Sequence, residues 1–240
     1  MLILALDTTS EVGGVGIFRD SECLASVANE GTADGYSVTL FAMAERALAQ
    51  AHLELPDIEV YAAANGPGSF TGIRVGLSAA RAWGKVFSRP VRGVSVLEAM
   101  VNKAPLTSDW AFPFLDARRG EFFAGAFRHR PAGPSGAGPQ SYEPADAGWI
   151  FKPEALRAFV QEGLTGGASG TVLVRAHDQQ AMELRARLPA NLGWGVIEGP
   201  LLDAIAGVAR RDEQAGQPCL AAKLDAYYIR RPDAEIKWKG

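Results

Sequence analysis

Four groups of residues in this chain are of types that could do chemistry. The first is Asp7-Thr8-Thr9-Ser10, one carboxylate and three hydroxyls directly after an apolar run. Such a turn can hold a phosphate through backbone N–H groups and hydroxyls, with the Asp on a metal ion. It can equally do no more than satisfy its own β-turn. The second is the string Gly66-Pro67-Gly68-Ser69-Phe70-Thr71-Gly72. Its glycines permit unusual backbone angles, Ser69 or Thr71 can cap a helix, and a helix N-terminus attracts anions. It is not a Walker A loop, because Ile73 and Arg74 follow Gly72 where Lys and a hydroxyl are required. Nor is Gly68-Ser69-Phe70 a nucleophile elbow, which has glycine on both sides of its x-Ser-x unit. The third is Asp116 with Arg118, Arg119 and Glu121, a charged turn that suits either a cleft between lobes or open solvent. The fourth comprises His52, His129 and His177, scattered without metal-ligand spacing, and Cys23 and Cys219, which make no CxxC and are expected to be free thiols. No Ser-His-Asp set and no carboxylate pair at acid–base spacing stands out, so the expectation is no catalytic residue and no metal ligand.

The elements that must position these residues can be read from the apolar pattern. Residues 2–6 form a continuous apolar run, the mark of a strand covered on both faces. Strands are expected at 12–18 and 22–28, a loop at 31–35, and a helix at 36–52. A short strand at 60–64 leads through the glycine string into a second helix ending near Phe87, followed by a strand at 90–94 and a helix at 97–103. The second helix is unusual. At about 100° per residue, Arg74, Ser78, Arg81 and Lys85 fall within about 60° of arc, and nearly everything else is apolar or small. An amphipathic surface helix needs an apolar stripe of only about 100°. Gly72, Gly76, Ala80 and Gly84 also repeat every fourth residue, a ridge on which another helix backbone could pack closely. The excess apolar surface is either enclosed in the protein's own core or reserved for a partner.

The plan then starts again. The run from Ala111 to Asp116 has the form of the first strand and its Asp, and one offset pairs Leu6 with Leu115, Asp7 with Asp116, Gly16 with Gly125 and Phe18 with Phe127. An internal duplication into two α/β lobes follows. In the second half, residues 129–140 are rich in Pro and Gly and read as a hairpin tip or insertion. Helices are expected at 153–162, 179–188 and 201–211, and strands at 171–174 and 194–197. The first lobe is expected at 1–106, with about 216–240 returning to it, and the second at 107–215. Length and charge fit this. At 240 residues, with 48% hydrophobic and 21% charged residues, the chain can build a core without staples. Twenty-four Lys and Arg against 27 Asp and Glu argue against a free-standing nucleic-acid binder. The apolar start is too short for a membrane span or a signal core and reads as a buried strand, so a soluble cytoplasmic protein is expected.

Taken together, residues 1–9, the string from Gly66 to Arg74, Gly93-Val94-Ser95-Val96-Leu97-Glu98-Ala99, Asp116-Ala117-Arg118 and the closing Tyr228-Ile229-Arg230-Arg231 resemble the TsaB (YeaZ) family. The resemblance is close to about Phe127 and loose beyond it, apart from the tail. One departure is Tyr36-Ser37, where the family commonly has His-Ser or His-Thr. The resemblance implies an actin-like, Hsp70-like ATPase fold of two duplicated lobes, each a mixed sheet flanked by helices. It further implies a subunit of the bacterial machinery that attaches threonylcarbamoyl to tRNA adenosine, binding and stabilising the catalytic paralogue TsaD and working with the ATPase TsaE.

On that reading the chain is a homodimer when alone, meets tRNA only through the complex, and touches no membrane. No resident cofactor is expected, with ATP or ADP at a subunit boundary as the only nucleotide. The metal-binding His-x-x-x-His of TsaD is replaced here by Val96 and Met100, neither of which ligates a metal as imidazole does. The stretch from Val172 to His177 also lacks the glycine of a second-lobe phosphate turn. A non-catalytic scaffold is therefore expected, with Tyr36, Met43, Val75, Gly76, Ala79, Ala80, Trp83 and Val86 at the partner interface. Asp7, Thr8 and Thr9 are the candidates for nucleotide contact. The rival is an ATP-dependent phosphotransferase of the same fold, with Asp7 and Asp116 near its metal. A peptidase, an activity occasionally attached to the family, finds no supporting residues.

Overall fold

The computed structural model describes residues 1–29, 35–130 and 141–217. The expected loop at 31–35, apart from Gly35, most of the 129–140 insertion, Cys219 and the C-terminal segment from residue 218 lie outside the described residues. The chain divides into two compact units, the first from residues 1–99 with 199–217 and the second from residues 100–198.

In the first unit, β1 (Leu2–Asp7) pairs antiparallel with β2 (Gly14–Arg19), which pairs antiparallel with β3 (Glu22–Ala28). Helix α1 (Tyr36–Ala51) crosses to β4 (Val60–Gly66), and α2 (Phe70–Phe87) crosses to β5 (Val91–Ser95). The sheet order is β3-β2-β1-β4-β5, with β4 and β5 parallel to β1. Leu4, Leu6, Val15, Ile17 and Tyr61 pack under α1 and α2. Helix α6 (Leu202–Gln214) also lies against β1, β2, β4 and β5. Four successive β1 residues, Ile3, Leu4, Ala5 and Leu6, are wholly buried, as a strand covered on both faces requires.

Helix α3 (Val96–Lys103) leads to the second unit. There β6 (Trp110–Asp116) pairs antiparallel with β7 (Phe122–Arg130), which pairs antiparallel with β8 (Ser141–Phe151). After α4 (Pro153–Gly163), β9 (Gly170–Arg175) joins β6 in parallel, and after α5 (Gln179–Glu183), β10 (Gly193–Ile197) joins β9 in parallel. The sheet order is β8-β7-β6-β9-β10, the first unit's order repeated. Five strands with only the second reversed, built twice, is the duplicated actin-like plan. Phe112, Phe114, Val172 and Val174 form this unit's core with Leu156 and Val160 of α4 and Ala181 of α5.

Four features differ from the sequence reading. Strand β8 was not anticipated, because two register shifts against β7 and the edge position of Pro144 break its alternation. The helix expected at 179–188 stops at Glu183 and tightens into a 3₁₀ turn, Leu184–Ala186. The segment 201–211, placed in the second lobe on sequence, packs instead on the first unit's sheet, because Leu202, Ile205 and Ala209 bury there. Finally, the Gly72-Gly76-Ala80-Gly84 ridge does not receive a helix. A Cβ on Gly72 would land on the carbonyl oxygen of Thr8, one on Gly76 on the hydroxyl of Thr8, and one on Gly84 on the Val91 side chain.

Candidate functional site

The Asp7-Thr8-Thr9 turn is drawn into the first unit. All three residues are buried. Asp7 Oδ1 accepts from the Thr9 N–H at 3.3 Å and the Thr9 hydroxyl at 2.8 Å, and Oδ2 accepts from the Leu201 N–H at 3.2 Å, directly before α6. A carboxylate suits that position, at the positive end of the helix dipole. The Thr8 hydroxyl donates to the Gly72 carbonyl at 2.7 Å, and the Ser69 N–H donates to the Thr9 carbonyl at 2.7 Å. Gly68 is needed for that approach, since its Cβ would lie 2.6 Å from the Thr9 oxygen. The turn therefore locks β1 to the starts of α2 and α6. Its hydroxyls and carboxylate are engaged inside the unit, and it does not fit a phosphate cradle with Asp on a metal.

The glycine string is a capped helix start. Ser69 Oγ accepts from the Gly72 N–H at 3.2 Å, and the Arg74 guanidinium lies over the Phe70 ring, 4.0 Å from its centroid. Of the eight residues expected at the partner interface, Tyr36, Met43, Gly76, Ala79, Ala80 and Trp83 are buried in the unit's own core. Trp83 packs against Tyr61, with ring centroids 5.8 Å apart, and only 7% of it is exposed. These six are a correction: the apolar arc of α2 is mostly the seat of β4 and α1. Val75 is half-buried and Val86 stays in water.

What remains outside is a narrower surface that sequence reasoning missed in part. Val38 and Phe41 of α1 and Val86 of α2 are 69%, 57% and 72% exposed. Phe41 packs at right angles to Trp83 with ring centroids 5.8 Å apart, so the two helices adjoin. On α2, Val75, Ala82 and Val86 share about 40° of arc, and the polar stripe of Arg74, Ser78, Arg81 and Lys85 borders them. The signal was present at 36–51: at about 100° per residue, Val38 and Phe41 leave the arc of Tyr36, Leu40, Met43 and Ala47.

In the second unit, Asp116 repeats what Asp7 does. Its Oδ1 accepts from the Arg118 N–H two residues on, at 2.7 Å, as Asp7 Oδ1 accepts from Thr9. Here, though, the turn is exposed. The Ala117 N–H donates to the Glu121 carbonyl at 2.9 Å and the Glu121 N–H to the Arg118 carbonyl at 3.2 Å, closing a tight hairpin. Arg118, Arg119 and Gly120 all have positive φ, at 66°, 59° and 71°. Left-handed backbone costs a non-glycine residue about 1–2 kcal/mol, and β6–β7 holds two such residues in succession. Among the described residues no group of three or more His, Cys, Asp and Glu side chains is placed to hold a metal ion. No described helix is long and apolar enough to cross a membrane.

A duplicated actin-like chain whose first-lobe turn is occupied by its own side chains defines the class. The family model described as "TsaD: tRNA N6-adenosine threonylcarbamoyltransferase" matches residues 26–145. The tRNA threonylcarbamoyladenosine biosynthesis protein TsaB of Bacillus subtilis is 27% identical over 130 residues, covering 54% of this chain and 56% of that protein. The tRNA N6-adenosine threonylcarbamoyltransferase of Methylocapsa acidiphila is 32% identical over 134 residues, 48% of this chain and 38% of that one. The chain thus spans about half the length, or less, of the curated relatives it matches. The solved structure of YeaZ from Pseudomonas aeruginosa superposes with a TM-score of 0.75 at 20% identity, covering 95% of this chain and 99% of that one, which establishes the fold. The chain belongs to the TsaD family, and within it to the TsaB/YeaZ group.

Proposed function

We propose that this chain is a non-catalytic subunit of a tRNA-threonylcarbamoylating complex, docking a TsaD-like catalytic subunit through the outer faces of α1 and α2. The observation that carries this reading is the exposure of Val38, Phe41 and Val86 on adjoining helices beside half-buried Val75. Water-exposed aromatic and aliphatic side chains gathered on two neighbouring elements are the usual signature of an interface. A second support is the engagement of Asp7, Thr8 and Thr9 inside the unit, which leaves the kinase-like alternative without a first-lobe phosphate turn. On this reading the protein works in the cytoplasm, pairs with itself through the same face when alone, and reaches TsaE and tRNA only in the assembly.

The test is size-exclusion chromatography with light scattering, on the chain alone and mixed with the TsaD-like protein of its organism. A homodimer that exchanges into a heterodimer is expected. Val86→Asp should weaken both pairings by tenfold or more while leaving Tm within about 2 °C, because the side chain already lies in water. Ala79→Glu, at a buried position, should instead lower Tm sharply. A monomer indifferent to TsaD, or Val86→Asp with undiminished pairing, would remove the reading. Micromolar Mg-ATP binding by the isolated chain would restore the phosphotransferase.

A further inference from the structure

A lone carboxylate stands in the apolar arc that α1 turns to solvent. At about 100° per residue, Val38, Phe41, Ala42 and Ala49 share about 100° of that helix, all four are exposed, and Glu45 lies among them. No cation is within reach on α1 itself, because the positions three and four residues away are Phe41, Ala42, Leu48 and Ala49. Nor does Glu45 form an ion pair or side-chain hydrogen bond among the described residues. In open water that costs nothing. Once a partner covers Val38 and Phe41, the carboxylate loses its solvent and needs a positive charge opposite it.

The chain carries such a charge on the neighbouring helix. Helix α2 holds Arg74, Arg81 and Lys85 and no carboxylate. Arg74 is laid over the Phe70 ring, and Arg81 has interactions of its own. Lys85 is exposed and, like Glu45, makes no ion pair or side-chain hydrogen bond among the described residues. It flanks exposed Ala82 and Val86, about 60° and 100° away around the helix. One copy therefore presents an uncommitted carboxylate and an uncommitted ammonium on adjoining helices, and the two do not meet each other. In an isologous interface every contact occurs twice, so one copy's carboxylate can take the other's ammonium, and the reverse.

We propose that a second copy of this chain docks on the α1–α2 face with Glu45 of each copy paired to the partner's Lys85. The proposal rests on the reading of that face as a docking surface and adds the residues that set its alignment. Apolar contact among Val38, Phe41 and Val86 is non-directional and tolerates sliding. The two charge pairs do not, because a shift of one helical turn leaves both carboxylates covered and without a cation.

The experiment measures self-association of the full-length chain by sedimentation equilibrium, with Glu45→Lys, Lys85→Glu and the double reversal Glu45→Lys/Lys85→Glu as variants. Circular dichroism checks that each is folded, as substitution at an exposed helix position should leave it. Either single variant meets like charges twice across the two-fold axis, so its self-association should weaken by about tenfold or more. Mixing the two single variants should restore a dimer, because the two reversals then face each other. The double reversal should return to within about threefold of wild type. A wild-type dimer whose single variants pair equally well, or weaken without rescue by mixing or double reversal, would overturn the pairing and leave the docking face standing. Single variants that keep self-association but lose the TsaD-like protein would place the cation for Glu45 on that protein and overturn it too. A wild-type chain that binds neither itself nor the TsaD-like protein would remove the docking face along with the pairing.

Discussion

Asp7 shows how much a single residue's surroundings decide its role. Its two oxygens face Thr9 and the Leu201 N–H, and Thr8 beside it fills the space that Gly72 and Gly76 leave open. The glycines of α2 are therefore packing residues, required by close approach. Gly72→Ala would drive a methyl group into the Thr8 carbonyl, so the backbone must move, and a loss of about 3 kcal/mol is expected in urea unfolding. Gly207, inside α6, offers the opposite case. Nothing lies within 4 Å of its Cβ position, so Gly207→Ala should gain about 0.5–1 kcal/mol from helix propensity. Equal effects from the two substitutions would show that the α2 glycines act through propensity and not through contact with the turn.

At the scale of elements, β4 is fastened at its side as well as by its ladder. Tyr61, fully buried under α2, donates its hydroxyl to the Leu55 carbonyl at 2.6 Å, holding the strand to the 3₁₀ turn Leu55–Asp57 before it. Burial pushes the phenol up from 10.0 to about 12, with the Arg89 charge acting the other way. The folded state therefore favours the neutral phenol. That contribution is complete below pH 10, where the phenol is neutral in both states, and is lost as pH rises from about 10 through about 12. Stability measured by urea midpoint should fall across that window, and Tyr61→Phe should flatten the fall while costing about 1 kcal/mol at neutral pH. An unchanged alkaline slope in Tyr61→Phe would assign the loss to other groups.

At the scale of the whole molecule, the first unit is built from two separate stretches of chain. After residue 99 the chain makes the second unit, then returns at residue 199 to lay α6 on the first sheet. Two ion pairs hold the returning helix. Arg92 of β5 places two nitrogens on Glu213 Oε2 at 2.8 and 2.6 Å, and Arg211 Nη2 reaches Glu98 Oε1 at 2.8 Å. Ile205, at 0% exposure, is part of the apolar seat of α6. Ile205→Asp places an unpaired carboxylate there and should cost more than about 4 kcal/mol. Limited proteolysis should then cut within residues 1–99 and spare residues 100–198. Protection of both stretches would mean that α6 is dispensable to the first sheet.

The sequence by itself determined the strands other than β8, because their apolar runs and turn residues are local signals. Residues 2–6, 22–28 and 60–64 form strands, and the repeated Asp after an apolar strand identified the duplication that the two matching sheets display. The string from Gly66 to Arg74 marked both the start of α2 and the family. Tertiary structure decided what each apolar residue is for. A helix apolar around most of its circumference carries no label separating Trp83, which meets Tyr61, from Val86, which meets water. Only the placement of β4 and α1 supplies it. The same holds for the glycine ridge, whose occupant comes from residues 8 and 91, and for α6, whose sheet lies a hundred residues or more earlier in the chain. The left-handed angles of Arg118 and Arg119 were likewise invisible, since arginine gives no turn signal and the hairpin closes only through bonds to Asp116 and Glu121. Periodicity records which face of an element is apolar. Which distant residues cover that face is fixed only when the chain has folded.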